Sequence, residues 1–359
     1  MPELRSVAAD ALQRLATNIF VAAGLPEANA AQVAAVLVWS NLRGNDGHGV
    51  QRIPRYIELI DEGSLNPRPE MRIRTEAAAA VLIDADRAAG PLSMTFAADQ
   101  AIAKARANGI GLALVRRTTH TAAIGYYTRR VADAGLAAIA ATASIPNMPY
   151  HGAAVASVST SPLSMAVPGT ESPLVLDMAT SVVSLGRLAQ FRRAGRALLP
   201  GWALDAAGTP TTDPAAADLP LPLGGAKGAG LSLMAECIAS ILTGNAILAP
   251  ALGAGGAAAL HRQNSFILAI DIARFGDPAS FRAAVASLAT VLKALPRQAG
   301  FDEILMPGER GDRVAVVRRA QGIPSPPPTW AELAKLATRF SVPMPGDSTQ
   351  QPESAFPAS

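Results

Sequence analysis

The first forty residues repeat apolar side chains at helical spacing: Val7, Leu12, Leu15 and Ile19, then Val33, Val36 and Leu37. That spacing places them on one helical face. Gly24 followed by Pro26 predicts a stop and a restart between two helices. The next stretch, NLRGNDGHGVQRIPRYIELIDEGSLNPRPE, is polar and marked by glycine. It predicts a loop, a short helix around 50–61 and an Asn-Pro turn.

From residue 71 the period changes. MRIRTEAAAAVLIDAD carries short alternating or continuous apolar runs and predicts strands. A helix is expected at 92–107, a strand at GIGLALVRR, a helix near 123–134 and a strand at LAAIAATAS. SMAVPG, LVLDMA and SFILAIDI predict further strands, and 228–243 and 279–295 predict helices. Strands alternating with helices predict an α/β sheet core. The chain divides into a helical N-terminal segment (1–70), an α/β core (71–320) and a proline-rich tail (321–359). The tail holds one short helix, TWAELAKLATRF, before it turns disordered in character. No internal repeat is visible.

Composition narrows the classes. With 50% hydrophobic and 16% charged residues among 359, wholesale disorder is excluded. A net charge of +3, dispersed along the chain, is no nucleic-acid footprint. The single cysteine, Cys237, rules out an internal disulfide framework and a cysteine-built zinc site. No metal site is expected. The N-terminus has no signal-peptide apolar core, so a cytoplasmic protein is expected. Residues 237–260 run uncharged, but Gly244, Pro250, Gly253, Gly255 and Gly256 interrupt them. A buried helix followed by a Gly/Ala-rich connection, with no membrane span, is the expectation.

Three clusters could carry chemistry. Asp46-Gly47-His48-Gly49 is followed by Arg52, Pro54 and Tyr56. In a helix, His48, Arg52 and Tyr56 would share one face, opposite a buried stripe of Val50, Ile53, Ile57 and Ile60. Pro54 inside that helix weakens the strict geometry. An imidazole, a guanidinium and a phenol together could bind a carboxylate and exchange a proton beside it. A solvated polar face with a capping loop would look the same. The second cluster, Thr118 to Gly125, lies between a strand and a helix. Its small residues would let a phosphate approach helix N-terminal N–H groups, or form a plain turn. It is not a G-x-G-x-x-G fingerprint, and none follows any predicted strand. The third cluster, Gly224 to Gly230, embeds Lys227 among glycines at a helix start, which suggests an anion contact. It lacks the spacing of an NTPase loop. His151 and His261 show no partner pattern and read as structural or exposed.

Taken together and in order, these pieces resemble the malate/L-lactate/ureidoglycolate dehydrogenase family, NAD(P)-dependent oxidoreductases without a Rossmann fold. The resemblance runs from about residue 10 to 325. It rests on RGNDGHGVQRIPRYIELIDEGSLNPRP, TTHTAAIGYYTRRVADAGL, STSPLSMAVP, LVLDMATSVVSLGRL, LPGWALDAAGTPTTDP, GGAKGAGLSLMAECIASILTG and MPGERGDR. It implies a mixed-sheet α/β core with helical N- and C-terminal segments and an NAD(P)-binding region at about 115–290. It also implies a homodimer that reduces 2-oxo acids, or cyclic imino acids, with NADH or NADPH.

By position, His48 matches the family's proton donor and Arg52 its substrate-carboxylate ligand. His120 stands where some members place a second acid/base, and Thr160 matches a substrate contact. His120, Thr121, Ala122, Ala123, Ile124, Ser144, Asp177, Met178, Ala179, Lys227, Gly228, Pro307, Gly308 and Glu309 match cofactor-contacting positions. The chain departs from the pattern in three places. Gly47 replaces the usual serine before the donor histidine, Arg187 stands near the acidic relay residue of the imine-reducing members, and Ser159-Thr160-Ser161-Pro162 replaces Gly-Thr-Asn-Pro. The expected activity is therefore hydride transfer between nicotinamide and a small 2-oxo or 2-hydroxy acid. The alternatives are a Δ1-pyrroline- or Δ1-piperideine-2-carboxylate reductase, and a catalytically impaired paralogue that binds the cofactor.

Overall fold

A short strand, β1 (Arg5–Val7), precedes helices α1 (Ala9–Ala22) and α2 (Glu27–Leu42) in the computed structural model, which describes residues 5–253 and 263–346. His261, Gly255, Gly256 and the tail from 347 lie outside the described residues. Helix α1 buries Leu12, Leu15, Ala16, Ile19 and Phe20, a stripe at i, i+3, i+4, i+7 and i+8. Val7 belongs to β1 instead of that stripe, because its strand pairs antiparallel with Ile323–Ser325. Helix α2 buries Ala30, Val33, Ala34, Val36, Leu37 and Val38, since α1, α4, α5 and α10 all pack on it.

Two 3-10 turns, Asp46–His48 and Val50–Arg52, lead into α3 (Ile53–Asp61). The helix thus starts three residues later than its apolar spacing predicts. Pro54 stands in its first turn, where the missing N–H has no intrahelical partner to lose. The strict helical face does not form, because His48 and Arg52 precede the helix, but Arg52 and Tyr56 still border one cavity. His48 and Arg52 project from successive turns, and Tyr56 is buried at 1% exposure beside Ile53 and Ile57.

The core sheet follows. Strands β2 (Arg72–Glu76) and β3 (Ala80–Asp84) form a hairpin, and α4 (Gly90–Asn108) crosses to β4 (Ile110–Thr118). Then come α5 (Gly125–Asp133), β5 (Ala137–Ser144), the small pair β6 (Met148–Pro149) and β7 (Ala156–Val158), and the hairpin β8 (Leu163–Val167) and β9 (Leu174–Met178). Helix α6 (Leu185–Ala194) adjoins a three-stranded sheet of β10 (Ala203–Asp205), β11 (Pro210–Thr211) and β12 (Ala217–Pro220). That unit has its own core of Val183, Leu188, Phe191, Leu198, Ala203 and Ala217. Helix α7 (Ala226–Ala235) continues as a π-turn (Glu236–Ile241), and α8 (Leu248–Leu252) precedes β13 (Gln263–Ile270). Helices α9 (Pro278–Lys293) and α10 (Glu309–Gln321), strand β14 (Ile323–Ser325) and helix α11 (Pro327–Phe340) complete the described chain.

The seven-stranded sheet has the order β2-β3-β4-β13-β5-β8-β9. Only β3 and β4 pair in parallel among the described strands, so this is the expected mixed sheet and not a doubly wound one. Helices α4 and α5 touch each other and pack against β4, β13, β5 and β8. One apolar cluster joins the sheet to α1, α2 and α3, and reaches Leu333 and Ala337 of α11.

The 228–243 segment is helical as expected but buries only one face, through Ala229, Ser232, Ala235, Glu236 and Ala239. Leu231, Met234 and Ile238 are exposed, as is Leu242 at 64%. Helix α9 has no buried residue and exposes Leu288 and Val291. Among the described residues no helix is long and apolar enough to cross a membrane.

Candidate active site

The loop that presents His48 is built by Asn41, at the end of α2. Its amide donates to Asp46 Oδ1 at 2.6 Å and its Oδ1 accepts the Val50 N–H at 2.8 Å. A Cβ at position 49 would stand 2.1 Å from Asn41 Oδ1, so this approach needs Gly49. Helix α10 grips the same loop from the far end of the chain. Arg318 donates to both Asp46 oxygens, at 2.7 and 3.0 Å, while Arg43 reaches Asp312 and donates to the Gly308 carbonyl at 2.9 Å.

His120 comes from elsewhere, the segment between β4 and α5. Thr119 anchors it, its N–H and hydroxyl donating to the Ala88 carbonyl at 3.1 and 3.0 Å. The fold brings the His120 ring against that of His48, with centroids 5.5 Å apart and planes within 7° of parallel. Tyr56 meets His120 edge-on, its oxygen 3.0 Å from Nδ1 and 2.8 Å from the backbone carbonyl.

Arg52 donates through Nε to the Gly47 carbonyl at 2.6 Å and so steadies the turn before His48. It has no carboxylate partner among the described residues. Burial lowers its pKa from the usual value. Arg52, Tyr56, His120, Ser144, Ile145 and Gln263 line a cavity of about 120 Å³. Burial, then the charge of Arg52, lowers the pKa of His48 to about 4. His120 is held well below the ordinary value of 6.5 by burial, by His48 and by Arg52. His48 Nδ1 is buried without a hydrogen-bond partner.

The other expected residues fall in three groups. Thr121, Ala122, Ala123 and Ile124 continue from His120 with buried side chains, and Ala122 adopts a left-handed φ of 56°. The helix start offered there to phosphate is already used. Gly125 N–H donates to Asp177 Oδ2 at 2.9 Å, and burial raises the Asp177 carboxyl to about 6. Met178 and Ala179 follow Asp177 at the end of β9.

A second group surrounds Thr180, whose buried hydroxyl has no partner. Its N–H donates to the Thr160 carbonyl at 3.2 Å, and its own carbonyl accepts the Leu223 N–H at 2.9 Å. Gly228 is held by packing, because a Cβ there would stand 2.3 Å from the Thr180 carbonyl. Lys227, one residue earlier, is exposed and has no partner among the described residues. In the third group Pro307 accepts the Val175 N–H at 3.0 Å, and Gly308 accepts from Arg43. The Glu309 carboxylate binds Lys293 at 2.6 Å as well as Arg313 and the Met306 N–H, contacts that lower its pKa to about 2. It has little capacity left for a ligand.

Sequence reasoning missed Asn41 and Gln263. Gln263 accepts the Thr121 N–H at 3.2 Å across 142 residues, and no local pattern marks such a partner. Arg187, near the expected relay position, is exposed on α6, where it donates to Gln190 and lies over Phe191.

The sequence model of the malate/L-lactate dehydrogenase family matches residues 7–334. The malate dehydrogenase of Pyrococcus horikoshii is 33% identical over 345 residues, spanning 93% of this chain and 95% of that one. The ureidoglycolate dehydrogenase (NAD(+)) of Escherichia coli K12 is 32% identical over 313 residues, spanning 85% and 88%. Among solved structures, malate dehydrogenase from Entamoeba histolytica superposes with a TM-score of 0.89 at 27% identity, covering 96% of this chain and 100% of that chain. The Δ1-piperideine-2-carboxylate reductase of Pseudomonas syringae pvar. tomato superposes with a TM-score of 0.80 at 27% identity, covering 93% and 100%.

Proposed function

Because the chain belongs to the malate/L-lactate dehydrogenase family, we propose that it interconverts a small 2-oxo acid and its 2-hydroxy acid with NAD(P)H as the redox partner. It is an oxidoreductase. The observation that carries the substrate class is Arg52, a guanidinium at the wall of a small cavity with no acidic partner among the described residues. A carboxylate on the substrate supplies the missing anion through a bidentate contact. The carbonyl carbon beside it is then fixed in orientation next to His120.

A bound nicotinamide dinucleotide supplies or accepts the hydride. The residues that would hold it are Lys227, the Asp177–Ala179 turn, the backbone of 120–124 and Ser144. The unpartnered Thr180 hydroxyl, directly after Ala179, and the free Lys227 ammonium fit such a polar ligand. In reduction, protonated His120 gives its proton to the oxygen that gains negative charge. In oxidation, the neutral ring takes that proton back. His48 shares the charge of the stacked pair and stands second in this assignment, against the sequence-based expectation, because His120 lines the cavity with Arg52.

The 2-oxo acid is favoured over the cyclic imino acid by the surroundings of His48. Its Nδ1 has no partner, Gly47 offers no hydroxyl, and Arg187 is exposed on α6. A second copy of the chain covers the apolar faces of α7 and α9, giving a homodimer in the cytoplasm. A panel of 2-oxo acids and cyclic imino acids, each with NADH and NADPH, tests the activity. The expected result is turnover of a 2-oxo acid. Faster turnover of cyclic imino acids would overturn the substrate class, and cofactor binding without any turnover would leave a binding protein.

A further inference from the structure

We propose that Tyr56 fixes which ring nitrogen of His120 carries the proton, and so acts as a positioning residue for proton transfer. The inference rests on the reading of His120 as the group that exchanges the proton. Tyr56 is buried in α3 at 1% exposure, with its ring 5.9 Å from that of Phe20. Both recorded contacts of its hydroxyl are to His120, 2.8 Å to the carbonyl oxygen and 3.0 Å to Nδ1.

The two partners make different demands. A carbonyl oxygen only accepts, and a phenol has one hydrogen to give. If the phenol donates to the carbonyl, its lone pairs face Nδ1, which must then carry a hydrogen. The opposite arrangement would set two oxygen lone pairs against each other at 2.8 Å, with that carbonyl lacking the tyrosine's hydrogen. The first arrangement satisfies all three groups. Neutral His120 is therefore the Nδ1–H tautomer, and Nε2 holds the lone pair.

The consequence is directional. Nε2 accepts the hydroxyl proton of a 2-hydroxy acid, and in reduction the same nitrogen returns it, while Nδ1 stays tied to Tyr56. Burial raises the phenol pKa, so the phenol keeps its hydrogen throughout the range in which the histidines titrate. The other charged or titratable groups acting on this ring are His48 and Arg52.

The test is Tyr56→Phe, which keeps the ring against Phe20 and removes only the hydroxyl. Long-range ¹H–¹⁵N spectra of histidine-labelled full-length protein read the tautomer directly, and His120→Asn identifies the His120 signals among four histidines. In the wild type the expected pattern is Nδ1–H; in Tyr56→Phe it is a mixture of both tautomers. Turnover of the 2-oxo acid should fall about 10–100-fold in kcat, by analogy with the loss of the hydrogen-bond partner that orients a metal-bound histidine, with KM nearly unchanged. A wild-type ring in the Nε2–H form overturns the proposal, and so does a variant whose tautomer and kcat both match wild type. The spectra decide this without any substrate. A confirmed tautomer in a protein that turns over no acid would refute the proposed activity and leave the tyrosine's role standing.

Discussion

The rings of His48 and His120 stack 5.5 Å apart and within 7° of parallel, so a proton on one disfavours a proton on the other.

Replacement of either ring separates their roles. A positioned general acid contributes about 10²–10⁴ in rate, and His120→Asn should lower kcat for reduction by that order. His48→Asn should cost less and should raise the pKa of His120, because His48 is one cause of its depression. Steady-state kinetics of both variants check this. If His48→Asn abolishes turnover while His120→Asn keeps most of it, His48 is the donor.

The pH dependence carries a definite sign. Oxidation needs a neutral imidazole, so its rate rises with pH through the histidine pKa, and reduction falls. Burial and Arg52 place that pKa below 6.5 in the free protein. A substrate carboxylate on Arg52 cancels part of the charge effect and raises the pKa in the complex. The kcat profile should therefore turn at a higher pH than the kcat/KM profile. Identical midpoints at or above 6.5 would contradict the coupling to Arg52.

Lys227 tests the cofactor assignment. Its ammonium is exposed beside Gly224 and free of other partners, so Lys227→Ala leaves nothing uncompensated inside the fold. A charge-assisted hydrogen bond contributes about 1.5–3 kcal/mol, and NAD(P)H should bind about tenfold or more weakly. Fluorescence titration that finds unchanged affinity would remove Lys227 from the site.

Assembly can be read from mass. Met234, Ile241 and Leu242 on the α7–π segment and Leu288 and Val291 on α9 are more than half exposed in a single chain. Light scattering should report two chains per particle, and Leu242→Glu should shift the distribution toward one. A wild-type monomer at every concentration would count against the dimer.

Local periodicity carried most of the fold. Helix α1, helix α4 and strands β4, β5 and β13 each leave a run of apolar residues at the proper interval. Helix α10 leaves none, because it buries only Ala315 and docks instead through Arg318–Asp46 and Arg43–Asp312. Strands β10, β11 and β12 are two to four residues long, too short for a period. The segment 228–243 buries Ser232, Glu236 and Ser240 and exposes Leu231, Met234 and Leu242, so its apolar residues do not mark its inner face.

The site was legible as parts. His48, Arg52 and His120 each stood in an unusual local cluster. Their meeting was not legible, because it depends on where β4 ends relative to a loop some seventy residues earlier. Tyr56 does meet Arg52 and His120 at one cavity, as its cluster suggested, although α3 begins only at Ile53.

The grip of α10 on the His48 loop has a consequence for how the molecule is made. Asp46 waits for Arg318, Arg43 for Asp312, and β1 for β14. A nascent chain on the ribosome can build α1 and α2 early, but the sheet waits for its central strand β13, and these clasps cannot close until more than three hundred residues have been synthesised. Contacts this distant in sequence form late. Activity should accordingly appear only once α10 has been made, and a chain stalled between β13 and α10 should hold a folded sheet with a loose His48 loop.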